Sequence, residues 1–501
     1  MRGFLPFLFF ILFSPFFSLA QGEANTWFFG KNAGISFGAN GPEAVTYAAL
    51  NTEEGCATIS DKDGNLLFYT DGVSVWNHHH EILKNGEGLM GNPSSTQSGV
   101  ILAHPGKKSH YFIFTIAEHG HENGFRYSIA DMSANARKGE ITEKNIPLVT
   151  PVTEKITIVK HRNNKDFWVI THGWKNDYFH AFLINENGID PNPVNSKTGS
   201  IHKGDPNNTQ GYLKSSPDGT NLALALETDH IVEVFDFDNE SGKVNNPIQL
   251  PFENGAYPYG IEFAPNGSLL YVSAAGYGKV YQYDLQAGSR EKIVESGILV
   301  GGTENEKWIG ALQLGVDGKI YFPIYNTPYL GSINQPNQQG GTCQYQNNSI
   351  FLESGISQLG LPTFNQSLFN DRITNTEINY FEEDEIKVGK TLIFKHLLFE
   401  TAQSLIQESS YPELNQLLHY LEANPEIKIQ ISGHTDNIGN KSFNQELSKN
   451  RAEAVAGYLT DRGIQTHRII TRGKGSAVPI RDNNTEEGRK MNRRVEVIFT
   501  N

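Results

Sequence analysis

Only two cysteines, Cys56 and Cys343, occur in 501 residues. A dense disulfide framework of the kind that staples small secreted domains is therefore excluded, and at most one bridge can form. Positive charge is also short. Against 55 Asp and Glu stand 41 Lys and Arg, a formal net charge of −14, which argues against a nucleic-acid partner because phosphate binding needs a basic surface. Beyond the N-terminus, no segment approaches the ~18 consecutive apolar residues of a spanning helix. The short motifs of common catalytic sites are missing too: there is no G-x-S-x-G, no H-E-x-x-H and no phosphate-loop glycine pattern. Methionine is scarce at four, whereas glycine reaches 49, Phe 30 and Tyr 20. That composition suits many short strands joined by tight turns.

What is present starts with Met1–Arg2, a short basic stretch. Phe4 to Phe17 is apolar apart from Pro6, Ser14 and Pro15, and Ser18-Leu19-Ala20 places small residues before Gln21. The pattern predicts a secretory signal peptide over residues 1–20, cleaved after Ala20. The run is too short and Pro-broken to be a good spanning helix, and no Cys near the cleavage site invites a lipid. An exported chain, soluble or peripherally held, is expected. Some 480 mature residues, roughly, imply more than one domain. Charge divides them: from Val388 onward there are 15 Lys and Arg against 13 Asp and Glu, so the acidic excess lies in the remainder.

From about Ala24 to Asn370 one theme recurs. Ile59-Ser-Asp-Lys-Asp-Gly64 precedes Leu66–Tyr69, and Ser216-Pro-Asp-Gly219 precedes Leu222–Leu226. Ala264-Pro-Asn-Gly267 precedes Leu269–Ser273, and Gly315-Val-Asp-Gly318 precedes Ile320–Pro323. Weaker copies sit at Pro105-Gly106 and Asn163-Asn164. Asp-Gly and Asn-Gly mark hairpins because the tight turn needs positive φ. A spacing of roughly 42 to 57 residues means one supersecondary unit per repeat, and four-stranded propeller blades fit it. Residues 21–370 are thus expected to form an all-β propeller of seven blades, with six as the alternative. A ring brings its first and last blades together. The lone cysteine near each end is then expected to pair, Cys56 with Cys343, the alternative being two separate thiols. The stretch Gly55-Cys-Ala-Thr-Ile-Ser-Asp-Lys-Asp-Gly-Asn-Leu-Leu-Phe-Tyr-Thr-Asp-Gly72, with Leu312–Tyr321, Cys343-x-Tyr345 and Leu359-Gly-Leu-Pro362, resembles the propeller-like region of Bacteroidetes surface proteins that often end in a gliding-motility or type IX sorting domain. Residues 371–387, polar and then acidic at Glu382-Glu-Asp-Glu385, read as a solvated linker.

After Lys390 the periodicity changes. Leu392–Phe399 reads as a strand. Ser410 is placed to cap a helix with Pro412 and Glu413 in its first turn, and Leu414, Leu417, Leu418 and Leu421 form one apolar face. Ile427–Ser432 alternates as a strand. A helix is expected from about Phe443 to Arg462, with Leu447, Val455 and Leu459 inward and Gly463 at its end. Ile469–Gly473 and Val495–Thr500 complete the strands. Residues 388–501 should therefore form an α+β sandwich of order β-α-β-α-β-β. Ile431-Ser-Gly-His-Thr-Asp-Asn-Ile-Gly439, Asn444-Gln-Glu-Leu-Ser448, Arg451-Ala452 and Gly488-Arg-Lys-Met-Asn-Arg-Arg-Val-Glu496 resemble the OmpA-like peptidoglycan-binding family. Phe394–Glu400 fits as well, with Glu400 where the family usually has Asp. The resemblance implies peptidoglycan as the partner, read at diaminopimelate, whose free end holds an ammonium beside a carboxylate. It assigns Asp436 to the ammonium and Arg451 to the carboxylate as a bidentate fork. Asn444 and Arg493, the latter expected on the last strand, are further contributors. Only one of Arg493 and Arg494 can face the site if both lie on a strand. Arg489 and Asn492 are expected to maintain the fold, and His434 to pack at a strand end.

Other signals are weaker. His78-His-His80 with Glu81 cannot all face one metal from a strand. His119 and His121, beside Glu118 and Glu122, read as a solvated loop. Asp61-Lys-Asp-Gly-Asn65 opens like a calcium loop, but its twelfth position is Gly72, so a hairpin is expected. No metal or cofactor is expected. The reading is a non-enzymatic envelope protein on the periplasmic side of the outer membrane. It is anchored to the wall by the C-terminal domain, and the propeller recruits an unknown protein or glycan. The alternative is a wall-tethered hydrolase or lyase with its site in the propeller funnel.

Overall fold

The computed structural model describes residues 22–369 and 389–500, apart from 39–40, 253–255, 395–398, 400–403, 405, 407–409 and 461. The expected signal peptide at 1–20 and the acidic linker at 371–387 lie outside those residues. Two compact units divide the chain, Met1–Asn375 and Thr376–Asn501.

In the first unit the hairpin glycines Gly64, Gly219, Gly267 and Gly318 all adopt positive φ, between 72° and 88°, where a Cβ would be strained. At Gly64 the turn is closed by Asp61, whose Oδ1 accepts from the N–H groups of Asp63 and Asn65. The calcium-like stretch is thus a hairpin that uses its own carboxylate. The strands are short and pair mostly with their chain neighbours. They form a three-stranded sheet over 26–44, an eight-stranded one over 57–149 and a five-stranded one over 152–197. Four-stranded sheets follow over 213–251, 257–302 and 313–351. The eight-stranded sheet consists of two antiparallel meanders, 57–87 and 99–149, joined by a single parallel pairing of Lys84 with Glu140. Strand Leu269–Ala275 is buried at every position, which is why it reads as a continuous apolar run and not as an alternation.

The end of this unit returns to its beginning. Ile356 bridges Lys31, Pro362 bridges Cys56, and the Leu359 N–H donates to the Glu53 carbonyl. Trp27 packs against Phe37, Tyr321 and Phe364 at centroid distances of 5.2, 5.9 and 5.9 Å, so both ends of the unit share one core. The expected Cys56–Cys343 bridge is not formed: both thiols are free and buried. Cys56 lies beside the returning strand at Pro362. Cys343 ends a short turn, Gly340–Cys343, ahead of the edge strand Tyr345–Phe351, and its side chain meets Tyr271 of the preceding sheet. The closure brings Cys56 to the inner returning segment, whereas Cys343 faces the neighbouring sheet.

The second unit contains β1 (Thr391–Ile393), α1 (Tyr411–Ala423), β2 (Lys428–Gly433), α2 (Lys441–Thr460), β3 (Ile469–Gly473), α3 (Glu486–Asn492) and β4 (Val495–Thr500). The sheet order is β1-β4-β2-β3, with only β2 and β3 parallel. Leu414, Leu417 and Leu421 of α1, Val455 and Leu459 of α2, and Ile429, Ile431, Val497 and Phe499 of the sheet form one buried core. Gly463, at φ 105°, ends α2.

Four expectations are corrected. A third helix, α3, stands where β-α-β-α-β-β places none. Thr485 caps it by accepting from the Gly488 N–H at 3.0 Å. Gly488 and Asn492, both weak helix formers, hide it in the sequence. Ser410 makes no side-chain cap. Leu447 is only half-buried, because α2 turns that residue away from the core. The first strand is shorter than Leu392–Phe399: it ends at Ile393, Phe399 bridges Ile406, and 395–398 with Glu400 lie outside the described residues.

Candidate functional site

The loop after β2 and the middle of α2 supply the polar centre of the second unit. Gly433, at the end of β2, lies so close to α2 that an added Cβ would sit 2.0 Å from the Ser448 carbonyl oxygen. That contact fixes how the following loop, His434 to Gly439, meets the helix. Asp436 is 8% exposed. Its Oδ1 accepts from the Ile438 N–H at 3.0 Å, and its Oδ2 from Arg493 Nη1 at 2.7 Å. Asn444, buried on the first turn of α2, donates to the carbonyls of Ile438 (2.9 Å) and Asp436 (3.3 Å). It shapes the loop from below. The N–H of Ser442 at the helix start is occupied by the Asn440 side chain at 2.9 Å, so that donor is not open to an anion.

Arg451 is 9% exposed. Its guanidinium carbon lies 4.9 Å from the Phe399 ring centroid, a cation–π contact. Burial lowers its pKa, the charge of Arg493 lowers it further, and the charge of Asp436 opposes both. Two arginines and one carboxylate thus share the site. Arg493 is the most accessible of the three, with its side chain 37% exposed.

Arg493 does not sit on the last strand. It follows α3 at its C-terminal end, and β4 begins at Val495. Arg493 and Arg494 therefore point apart because the chain turns out of a helix, and not through strand alternation. Arg494 is buried, with Nη2 2.6 Å and Nε 2.8 Å from Glu496 Oε1. His434 Nε2 approaches the other oxygen of Glu496 at 3.4 Å. The close approach of His434, assisted by Arg494, holds the Glu496 carboxyl at about 2, against burial. Asn492 is wholly buried. It ties down the 480–483 loop by accepting from the N–H groups of Ile480 and Arg481 and donating to Arg481 O and Asn483 Oδ1. The structure therefore brings together Asp436, Asn444, Arg451 and Arg493. The Phe399 platform and the Arg494–Glu496–His434 group were missed from sequence, since both depend on partners distant in the chain.

A strand-end acid, a buried helical arginine on an aromatic ring and a second arginine from the last helix form one constellation. Residues 398–493 match the OmpA family. Within this stretch the chain is 44% identical over 90 residues to the peptidoglycan-binding protein ArfA of Mycobacterium tuberculosis, covering 18% of this chain and 28% of that protein. It is 39% identical over 109 residues to the outer membrane protein A of Bordetella avium, covering 22% and 56%. It is 26% identical to the solved peptidoglycan-associated lipoprotein from Burkholderia pseudomallei, covering 22% of this chain and 89% of that one with a TM-score of 0.20. The chain spans less than a third of the length of ArfA and about half that of the Bordetella protein, so what it shares with them is one domain.

Outside the OmpA-family domain, His80 bonds Tyr69 OH at 2.9 Å and the His78 and His79 rings lie 4.0 Å apart. Among the described residues no three His, Cys, Asp or Glu converge in a geometry suited to a metal ion. His119 is more than loop, because its N–H donates to the buried carboxylate of Glu154 at 2.9 Å. Among the same residues no helix is long and apolar enough to cross a membrane.

Proposed function

We propose that the protein is a non-enzymatic cell-envelope component whose C-terminal domain, residues 388–501, anchors it to peptidoglycan on the periplasmic side of the outer membrane. The observation that carries this reading is the gathering of Asp436, Arg451 and Arg493 at one place, set within the OmpA-family match. A ligand that completes such a site brings a carboxylate for the two guanidinium groups and an ammonium for Asp436. The free end of diaminopimelate offers both at fixed separation. Arg493 is held at Nη1 by Asp436, and its side chain is 37% exposed, where a bound carboxylate can approach it. Residues 21–370 are read as a seven-bladed propeller that recruits a protein or glycan. Two features support that count: the eight-stranded sheet has two halves that meet at a single residue pair, and the segment 356–363 closes on residues 31, 53 and 56.

Sedimentation with purified sacculi tests the anchor. The Arg451→Ala chain should bind 30- to 1,000-fold more weakly, a loss of ~2–4 kcal/mol, because the ligand's carboxylate loses its bidentate partner. Unchanged pelleting of a folded Asp436→Ala/Arg451→Ala chain would overturn the assignment. A second reading, an enzyme tethered to the wall, is favoured only by two carboxyls of the first unit, Glu54 and Glu227, whose pKa values burial raises. Soluble fragments released from sacculi by the mature chain would establish it in place of the binder.

A further inference from the structure

In the first unit, residues 303–308 connect the last two four-stranded sheets and border a cavity of about 320 Å³. Thr303, Asn305 and Lys307 line it from that connection. Asn326 lines it from the turn after strand Ile320–Pro323, Tyr329 from the start of strand Tyr329–Ile333, and Asn348 from strand Tyr345–Phe351. Asn305, Asn326 and Asn348 are exposed, and among the described residues their side-chain amides have no hydrogen-bond partner. Each stands at left-handed φ, 57°, 54° and 54°, where glycine would hold the same backbone without an amide. Asn347 differs, since it accepts from the Tyr345 hydroxyl and donates to the Gly302 carbonyl, each at 2.8 Å. Among the described lining residues only Glu304 and Lys307 are charged, one of each sign.

The turn Gly276 to Gly278 joins this cavity to exposed rings. A Cβ on Gly278 would lie 2.2 Å from Thr303 Oγ1 and 2.3 Å from the Lys307 carbonyl oxygen, both belonging to cavity-lining residues. A Cβ on Gly276 would lie 3.6 Å from the Tyr257 ring and 3.8 Å from the Trp308 ring. The Trp308 carbonyl accepts from the Tyr325 N–H at 2.9 Å, and those two rings are 6.1 Å apart. Trp308 is 47% and Tyr257 40% exposed. On the cavity wall itself, Tyr329 lies 5.3 Å from Phe351, which is exposed as well. Ring faces and unpartnered amides thus border the same short connection.

We propose that this cavity binds one residue of a neutral oligosaccharide through the amides of Asn305, Asn326 and Asn348, while the adjoining sugar residue stacks on Trp308. The inference rests on the reading of the first unit as a recruiting module and gives that module a ligand class. An amide both donates and accepts, as every sugar hydroxyl does. The C–H face of a sugar ring is apolar and is covered by an exposed aromatic face. A volume of about 320 Å³ is at the lower end for ligand cavities, ~300–1,000 Å³, which suits a single sugar residue. A charged ligand would meet two opposite charges that offset each other, and the acidic excess of this unit repels anions. A peptide anchored by its side chains would need an apolar socket, and only Ile324 and Pro328 among the described lining residues are aliphatic.

Calorimetry on the mature chain tests this. The probes are tetrasaccharides of glucose, mannose, galactose and N-acetylglucosamine, with tetragalacturonate as the charged control. At least one neutral probe should bind, and the uronate should not. Asn305→Gly, Asn326→Gly and Asn348→Gly keep the left-handed turns and remove the amides. Each should weaken that probe about three- to tenfold while thermal unfolding stays within a few degrees of the parent. Trp308→Ala, at an exposed position, should weaken it about tenfold or more. Binding of no neutral probe overturns the inference, as does uronate binding as tightly as the neutral sugars. Sugar binding that all four variants leave unchanged overturns the cavity and keeps the first unit as a recruiter. Shorter sugars released from a bound probe, read by chromatography of the same mixtures, overturn the recruiter reading in favour of an enzyme.

Discussion

Asp436 holds Arg493 on one oxygen and the Ile438 N–H on the other, so truncating it releases a cation as well as removing an anion. Arg493→Ala should therefore be milder than Arg451→Ala in sacculus binding. Its side chain is over a third exposed, and the expected loss is about tenfold, or ~1–1.5 kcal/mol. Sedimentation of the two variants side by side checks the ranking. A second residue-scale prediction concerns Glu496. Its carboxyl is held at about 2, below its ordinary value of 4.5. A depressed carboxyl contributes stability that is complete above that ordinary value and is lost as pH falls toward 2. Glu496→Gln should destabilise the C-terminal domain by about 1–2 kcal/mol at pH 7, because buried Arg494 loses its charged acceptor. The difference from the parent should shrink between pH 5 and about 2 in denaturant titrations; a gap that stays constant with pH would refute the assignment. Of the site, Asp436, Asn444 and Arg451 were named through the family resemblance their motifs carry. Arg493 was named, but its setting was not, since only the turn out of α3 aims it at Asp436.

At the scale of elements, β2 and α2 meet through a glycine, and α2 itself contains another with open space around it. Gly433→Ala would place a methyl 2.0 Å from the Ser448 carbonyl, whereas an added Cβ at Gly457 meets nothing within 4 Å. The first change should destabilise the domain by ~3 kcal/mol or more, through overpacking against backbone. The second should stabilise it by up to ~1 kcal/mol, through helix propensity. Thermal unfolding of the two variants should shift in opposite directions. The α1 stripe of leucines and the alternation of β2 could be read directly, because a helix face and a half-buried strand each leave a period in the chain. Helix α3 could not, because its seven residues are too few for a period and its cap at Thr485 was the only local sign.

For the whole molecule, the two cysteines now carry an expectation opposite to that of a closed ring locked by a bridge. Thiol titration of the denatured mature chain without reductant should find two free groups, since Cys56 and Cys343 are separately buried. Finding none would restore the bridge. The division at Asn375 and Thr376 leads to a last expectation. Cutting within 375–386 should release a C-terminal piece that keeps the parent's affinity for sacculi and an N-terminal piece that has none. A C-terminal piece that binds much more weakly would mean the anchor needs the rest of the chain. What the sequence by itself determined are the local matters: hairpin glycines that must take positive φ, apolar stripes with a helical or strand period, and the loop motif around Asp436. Each is settled by the conformational limits of a few adjacent residues. Tertiary structure decided the rest. That Cys56 meets Pro362, that Phe399 lies under Arg451, and that Arg493 meets Asp436 all depend on packing between residues far apart in the chain, which leave no mark on local pattern.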